Sequence, residues 1–112
     1  RGTYCWMHPD TLLHGKCSFQ TDVYSMGLTI WELVMYGEIP FAEYTYLKCS
    51  ESDLAAVKKA QPCPDFKITS AAPHMKGISQ EEFHVDPMIK QLIIKCVTEC
   101  PSEKKMMQIT CL

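Results

Sequence analysis

The sequence lacks the short motifs that carry most enzyme chemistry. Its 112 residues contain no glycine-rich phosphate loop, no G-x-S-x-G nucleophile elbow and no H-E-x-x-H zinc motif. No C-x-x-C pair occurs, and the four histidines (8, 14, 74 and 84) do not have the spacing of zinc ligands, so we predict no metal site. These absences exclude the enzyme classes that such motifs define.

The sequence also lacks an excess of charge of either sign. It has 11 Lys and Arg against 13 Asp and Glu, a net charge of −2 and a pI near 6.1. Such a balance gives no electrostatic reason to bind nucleic acid or an anionic membrane, and we predict neither partner. The most apolar stretch, residues 21–37, is too short and too polar to span a bilayer comfortably.

Cysteine, in contrast, is abundant. Seven cysteines occur in 112 residues, which is an odd number, and several lie in apolar settings where a reduced thiol behaves as a small hydrophobic group. Because no signal peptide precedes them, we favour reduced cysteines and a cytoplasmic location over a disulfide framework. The hydrophobic fraction of 46% is typical of a globular protein, and a length of 112 residues allows one domain at most.

Residues 21–37 predict the helix around which the chain is built. Thr21 can act as the N-cap, Gly37 can adopt the left-handed conformation after the last turn, and no proline lies between them. Apolar residues occur all round this helix, so we expect other structure to enclose it. Shorter helices are predicted at residues 9–13, 53–60 and 104–112, and another from residue 87 after an Asp86 cap. Ser50 or Ser52 can cap the helix at 53–60, whose apolar stripe is Leu54, Val57 and Ala60.

Residues 61–85 differ from the rest of the chain. Three prolines, one glycine and many polar residues favour a loop, and we interpret this range as an insertion. The predicted fold class is therefore all-α, with 1–112 as one unit.

Two blocks of residues resemble a protein kinase domain. Asp22-Val23-Tyr24-Ser25-Met26-Gly27 followed by Trp31-Glu32-Leu33 is similar to the central F helix of a kinase C-terminal lobe. The upstream block, Gly2 to Asp10, resembles the end of an activation segment in the tyrosine-kinase-like group, where the family usually reads G-T-x-x-W-M-A-P-E. The resemblance implies the lobe helices EF to I around a buried F helix, within a longer α+β kinase domain of which we interpret this chain as a segment.

The resemblance also implies roles for individual residues. Thr3 and Trp6 match the substrate-facing loop, and Asp22 matches the aspartate that anchors the catalytic loop, although each has a plain alternative as a solvated loop residue or an ordinary helix-start carboxylate. Asp10 and Lys104 match the two partners of a structural ion pair, with glutamate and arginine changed to shorter or less directional residues. The alternative is that both are surface charges.

The parts that perform phosphoryl transfer in kinases lie upstream of the residues matched here. The resemblance therefore implies that this chain alone binds no ATP or Mg²⁺ and has no catalytic residue, whereas an active parent protein would bind both. We favour a degenerate, pseudokinase scaffold that contacts protein partners and the upstream kinase lobe. An active ATP-dependent Ser/Thr kinase, in which this segment is the substrate-docking platform, and a non-kinase helical domain with a chance match remain as alternatives.

Overall fold

The protein is described by a computed structural model that covers residues 2–46, 49–67 and 84–110. Within those ranges the chain is helical and has no strand, which confirms the predicted all-α class. A 3₁₀ helix (Gly2–Trp6) is followed by α1 (Pro9–His14), α2 (Phe19–Val34), α3 (Ala42–Tyr46), α4 (Glu51–Ala60), α5 (Pro87–Thr98) and α6 (Glu103–Thr110).

Helix α2 is the predicted central helix, but it begins earlier than its sequence suggested. Ser18, not Thr21, is the N-cap: its Oγ accepts from the Thr21 N–H at 3.3 Å, and Thr21 Oγ1 accepts from the Ser18 N–H at 2.8 Å. The pair forms a reciprocal capping box, in which both hydroxyls satisfy free N–H groups. The helix ends at Val34, and Gly37 has the predicted left-handed conformation with φ of 86°.

One side of α2 holds the core together. Tyr24 and Leu28 pack with Leu12 of α1 and Leu54 of α4 in one cluster. The rest of this side packs on α5 and α6 in two further clusters, through Val23, Cys96 and Met106 and through Trp31, Met35 and Ile93.

The opposite side of α2 is exposed along its whole length. Phe19, Met26 and Leu33 are 41%, 40% and 72% exposed, and Asp22 and Thr29 lie on the same face. The described helices thus enclose one side of the predicted central helix and leave its other side uncovered within this chain. Thr29 satisfies its hydroxyl within the helix, donating to the Ser25 carbonyl at 2.9 Å.

Helices α1, α4 and α5 have the predicted capping residues, whereas α3 was not predicted. Gly15 ends α1 with φ of 65°, Ser50 accepts from the Asp53 N–H at the start of α4, and Asp86 accepts from the Met88 N–H at the start of α5. Of the range 61–85, the residues 61–67, 84 and 85 contain no helix, and Phe66 packs against the cluster of Trp31. Residues 68–83 of the predicted insertion, and 111–112 of the predicted last helix, lie outside the described residues.

Candidate functional site: the N-terminal segment and its supports

Residues 2–7, which we call the N-terminal segment, lie against α2 and α4. The carbonyl groups of four consecutive residues, 4 to 7, all accept hydrogen bonds from side chains of those two helices. From α2, Ser25 Oγ donates to the Trp6 carbonyl at 2.8 Å. The other three carbonyls converge on one side chain, Lys58 of α4.

Lys58 is a fully buried cation, with no exposed area. Its Nζ donates to the carbonyls of Tyr4, Cys5 and Met7 at 2.8, 2.8 and 2.6 Å. Nζ also lies 5.6 Å from the centre of the Tyr24 ring and 5.3 Å from that of Phe41. Burial lowers the pKa of Lys58 to about 7, and the nearby Cys5 acts in the opposite direction. The three carbonyl dipoles and the two ring faces favour the charged form, because each presents partial negative charge to the ammonium.

His8 caps the short helix that follows. Its Nδ1 accepts from the Asp10 N–H at 2.9 Å, which requires a neutral ring, and the ring meets Tyr24 edge-on at 5.1 Å between centroids. Burial lowers the pKa of His8, Lys58 and Lys59 lower it further, and Asp10 raises it. His8 is thus held in the form that can accept the capping hydrogen bond.

The ion pair predicted between Asp10 and Lys104 is not formed. The Asp10 carboxylate turns to its own helix start, with Oδ2 3.9 Å from His8 Nδ1, and Lys104 is exposed in the first turn of α6 without an ion pair to any described residue. Aspartate is one methylene shorter than glutamate, and its carboxylate stays beside the start of its own helix. The open alternative, that both residues are surface charges, describes Lys104 and the half-exposed Asp10 better.

The other predicted site residues lie in the 3₁₀ helix and in the first turn of α2. Trp6 is half-buried, and its indole Nε1 is buried without a hydrogen-bond partner among the described residues. Thr3 lies in the 3₁₀ helix, but its side chain is outside the described part of the structure. Asp22 is exposed in the first turn of α2, where a carboxylate complements the positive end of the helix. No described residue contradicts the roles that the resemblance gives these three, and none tests them.

Sequence reasoning missed Lys58 entirely. The predicted apolar stripe of α4 was Leu54, Val57 and Ala60, whereas the buried residues are Leu54, Ala55 and Lys58. Position 58 follows Leu54 by four residues and therefore shares its face. A lysine on the apolar face of an amphipathic helix could have indicated a buried amino group. The same pattern is equally typical of a lysine whose stem packs on the core while its amino group reaches water.

Two further findings concern disulfides and membrane-spanning helices in the described part of the chain. No disulfide joins any two of the six described cysteines, which are Cys5, Cys17, Cys49, Cys63, Cys96 and Cys100. No helix in the described ranges has the length and apolar character needed to cross a bilayer.

The central helix α2 packs on α5, and the 3₁₀ helix and α1 lie on its flank against α4. Together with the two sequence blocks, this arrangement is that of a kinase-type C-terminal lobe. The chain belongs to the protein tyrosine and serine/threonine kinase family, whose family model matches residues 1–110. That match rules out a chance resemblance of a non-kinase helical domain.

Relatives of this chain include proteins named as kinases and a protein named as a receptor. Tyrosine-protein kinase HTK16 of Hydra vulgaris is 27% identical over 73% of this chain, and non-receptor tyrosine-protein kinase TNK1 of Mus musculus is 36% identical over 54% of it. Ephrin type-B receptor 6 of Rattus norvegicus is 42% identical over 32%. The chain spans only 10%, 10% and 4% of the length of these three proteins. No solved structure gives a significant match.

Proposed function

We propose that this chain is the substrate-side part of the C-terminal lobe in a larger kinase-domain protein, and that the larger protein acts as a scaffold for protein partners. The observation that carries the scaffold proposal is the missing contact between Asp10 and Lys104. In the family, the matching ion pair fixes the end of the activation segment. A lobe without it keeps the helical frame while losing a restraint that phosphoryl transfer needs.

Lys58 supplies a different restraint for the same region. It binds backbone carbonyls rather than a side-chain charge, so it fixes the shape of the N-terminal segment without depending on Asp10. A stable surface of fixed shape is what a protein-binding scaffold requires. We therefore propose the N-terminal segment and its flanking helices as the partner-binding surface.

The second candidate is the docking platform of an active ATP-dependent Ser/Thr kinase. It is favoured by the relatives, several of which are named as kinases, and by the presence of Thr3 and Asp22 at the family positions. ATP and Mg²⁺ would then be held by residues of the parent protein outside this chain. Under both candidates the upstream kinase lobe is a partner of the exposed face of α2, where Asp22 lies.

Phosphoryl transfer in the full-length protein separates the two candidates. We expect no Mg²⁺-ATP-dependent phosphorylation of a generic protein substrate, and no difference between the wild type and Asp22→Asn. An active kinase would instead transfer phosphate, and Asp22→Asn would lower the rate because the catalytic loop loses its anchor. In the residues that precede Arg1 in the parent, we expect substituted versions of H-R-D-x-x-x-x-N and D-F-G, whereas intact versions would support the active kinase.

We also propose a cytoplasmic location for this segment. The support is the set of six described cysteines without a disulfide, because disulfides persist mainly in oxidising compartments. Mass spectrometry of the protein isolated under alkylating conditions would test this, and a disulfide among these cysteines would contradict it.

A further inference from the structure

The four carbonyl groups of residues 4 to 7 are held from two different helices. Lys58 of α4 holds three of them, and Ser25 of α2 holds the Trp6 carbonyl between them. Within the segment itself, the carbonyls of residues 4 to 7 have one backbone partner among the described bonds, from Met7 N–H to the Tyr4 carbonyl at 3.2 Å. Two side chains from separate helices therefore hold the end of the segment in addition to its own 3₁₀ bonds.

The surroundings of the Lys58 amino group form a cage for a cation. An ammonium has three N–H donors, and the three carbonyls use all of them. The rings of Tyr24 and Phe41 present their faces on other sides of Nζ, and no carboxylate among the described residues forms an ion pair with it. A buried lysine without a carboxylate is rare, so the carbonyl oxygens and rings must offset the loss of hydration.

The three carbonyls belong to residues within one short turn. They point to a common centre only while that turn keeps its 3₁₀ conformation, because an extended segment would turn successive carbonyls in alternate directions. The amino group therefore binds a particular backbone shape and not merely a nearby residue. Tyr4 adds a weaker tie to the same helix, since a hydrogen bond to Glu51 raises the pKa of its phenol.

We propose that Lys58 is a positioning residue: its buried amino group, held by the carbonyls of Tyr4, Cys5 and Met7, locks the N-terminal segment onto α4. Calling this segment partner-facing rests on the proposed function, but the lock itself does not. Any displacement of α4 relative to α2 would then release or reshape the segment, so partners that touch α4 can control it.

The test is the rate at which N-ethylmaleimide labels Cys5 in the full-length protein at about pH 6.5, where the lysine is largely protonated, read by peptide mass spectrometry. Cys5 belongs to the segment and is buried, with 2% of its surface exposed, and Cys96 of α5 is fully buried and serves as the internal control. Lys58→Met keeps the stem and removes the charge. We expect it to label Cys5 about ten- to a hundredfold faster, the effect of losing hydrogen bonds to a charged group, with Cys96 still protected. The matched control, Lys59→Met on the exposed side of α4, should change neither rate.

A chemical rescue shows whether the cage itself is responsible. Lys58→Ala lacks the atoms that n-propylammonium carries, so this cation should restore the protection of Cys5, whereas 1-propanol of similar size should not. Unchanged labelling of Cys5 in a folded Lys58→Met protein would overturn the proposal. Equal acceleration of Cys5 and Cys96 in both variants would overturn it too, since Lys58 would then be a general core residue. None of these readouts depends on kinase activity, so failure here is distinct from failure of the proposed function.

Discussion

Gly27 of α2 lies so close to Cys96 of α5 that a residue with a side chain would not fit in its place. A Cβ atom added to Gly27 would stand 2.8 Å from Cys96 Cβ and 2.9 Å from Val97 Cγ1. The absence of a side chain at this one position lets α2 and α5 pack face to face, with Val23 and Trp31 of α2 buried on either side.

Gly27→Ala should therefore lower the free energy of unfolding. Alanine favours a helix over glycine by about 1 kcal/mol, but the added methyl group forces the two helices apart, which costs about 1–3 kcal/mol. Thermal or denaturant unfolding of the full-length protein measures the difference. Thr29→Ala, on the exposed face of the same helix, is the control and should be nearly neutral. A Gly27→Ala protein as stable as this control would mean that the interface is looser than the structure has it.

The His8 cap predicts a loss of stability on acidification. Burial lowers the pKa of His8 below its ordinary 6.5, so the unfolded chain binds the proton more readily than the folded chain. The cap contribution is present above about pH 6.5 and is lost as the pH falls through the lower, folded value, because an imidazolium cannot accept from the Asp10 N–H. The expected loss is about 1 kcal/mol.

His8→Asn isolates this effect, since asparagine caps well and does not titrate. The stability of the wild type should fall relative to His8→Asn as the pH is lowered from about 7 to 5, and His14→Asn, at the exposed end of α1, should leave the wild-type profile unchanged. Parallel profiles for the wild type and His8→Asn would show that His8 is not the cap in solution.

The lowered pKa of Lys58 predicts that the stability of the protein depends on pH on the alkaline side of neutrality. Its pKa is lowered to about 7 in the folded protein from an ordinary 10.5, so the unfolded chain binds more protons between these two values. Stability should therefore rise from about pH 7 to 10 relative to Lys58→Met, by at most about 5 kcal/mol, and by less in proportion to how well the carbonyl cage holds the charge. Lys59→Met is the matched control. A flat difference would mean that the cage keeps Lys58 charged throughout.

The sequence predicted those features that depend on neighbours along the chain. Asp86-Pro87 started a helix and Gly37 turned left-handed, because caps and turns are decided within a few residues. The role of Lys58 was not predictable in this way, since its three acceptors precede it by 51 to 54 residues and come together only in the fold.

The ion pair predicted between Asp10 and Lys104 is absent for the same reason, because it too depends on residues that lie far apart in the sequence. Asp10 and Lys104 kept the signs that the family pattern requires, but sign does not give reach, and the Asp10 carboxylate lies at the start of its own helix, 3.9 Å from His8 Nδ1. A double-mutant cycle of Asp10→Asn and Lys104→Met should accordingly give a coupling energy below about 0.5 kcal/mol, as for distant independent sites. Coupling above about 1 kcal/mol between Asp10 and Lys104 would restore the ion pair.

The exposed face of α2 should behave in opposite ways in the isolated chain and in the full-length protein. Alone, the 112-residue chain presents Met26 and Leu33 to water, so we expect it to bind the dye ANS and to aggregate, and Met26→Ser with Leu33→Ser to reduce both. If the upstream lobe covers this face, the same two substitutions should destabilise the full-length protein by about 1–3 kcal/mol for each buried side chain lost. Leu28→Ser, on the buried side of α2, should destabilise both forms. A full-length protein that tolerates Leu33→Ser would show that no upstream residues lie on this face.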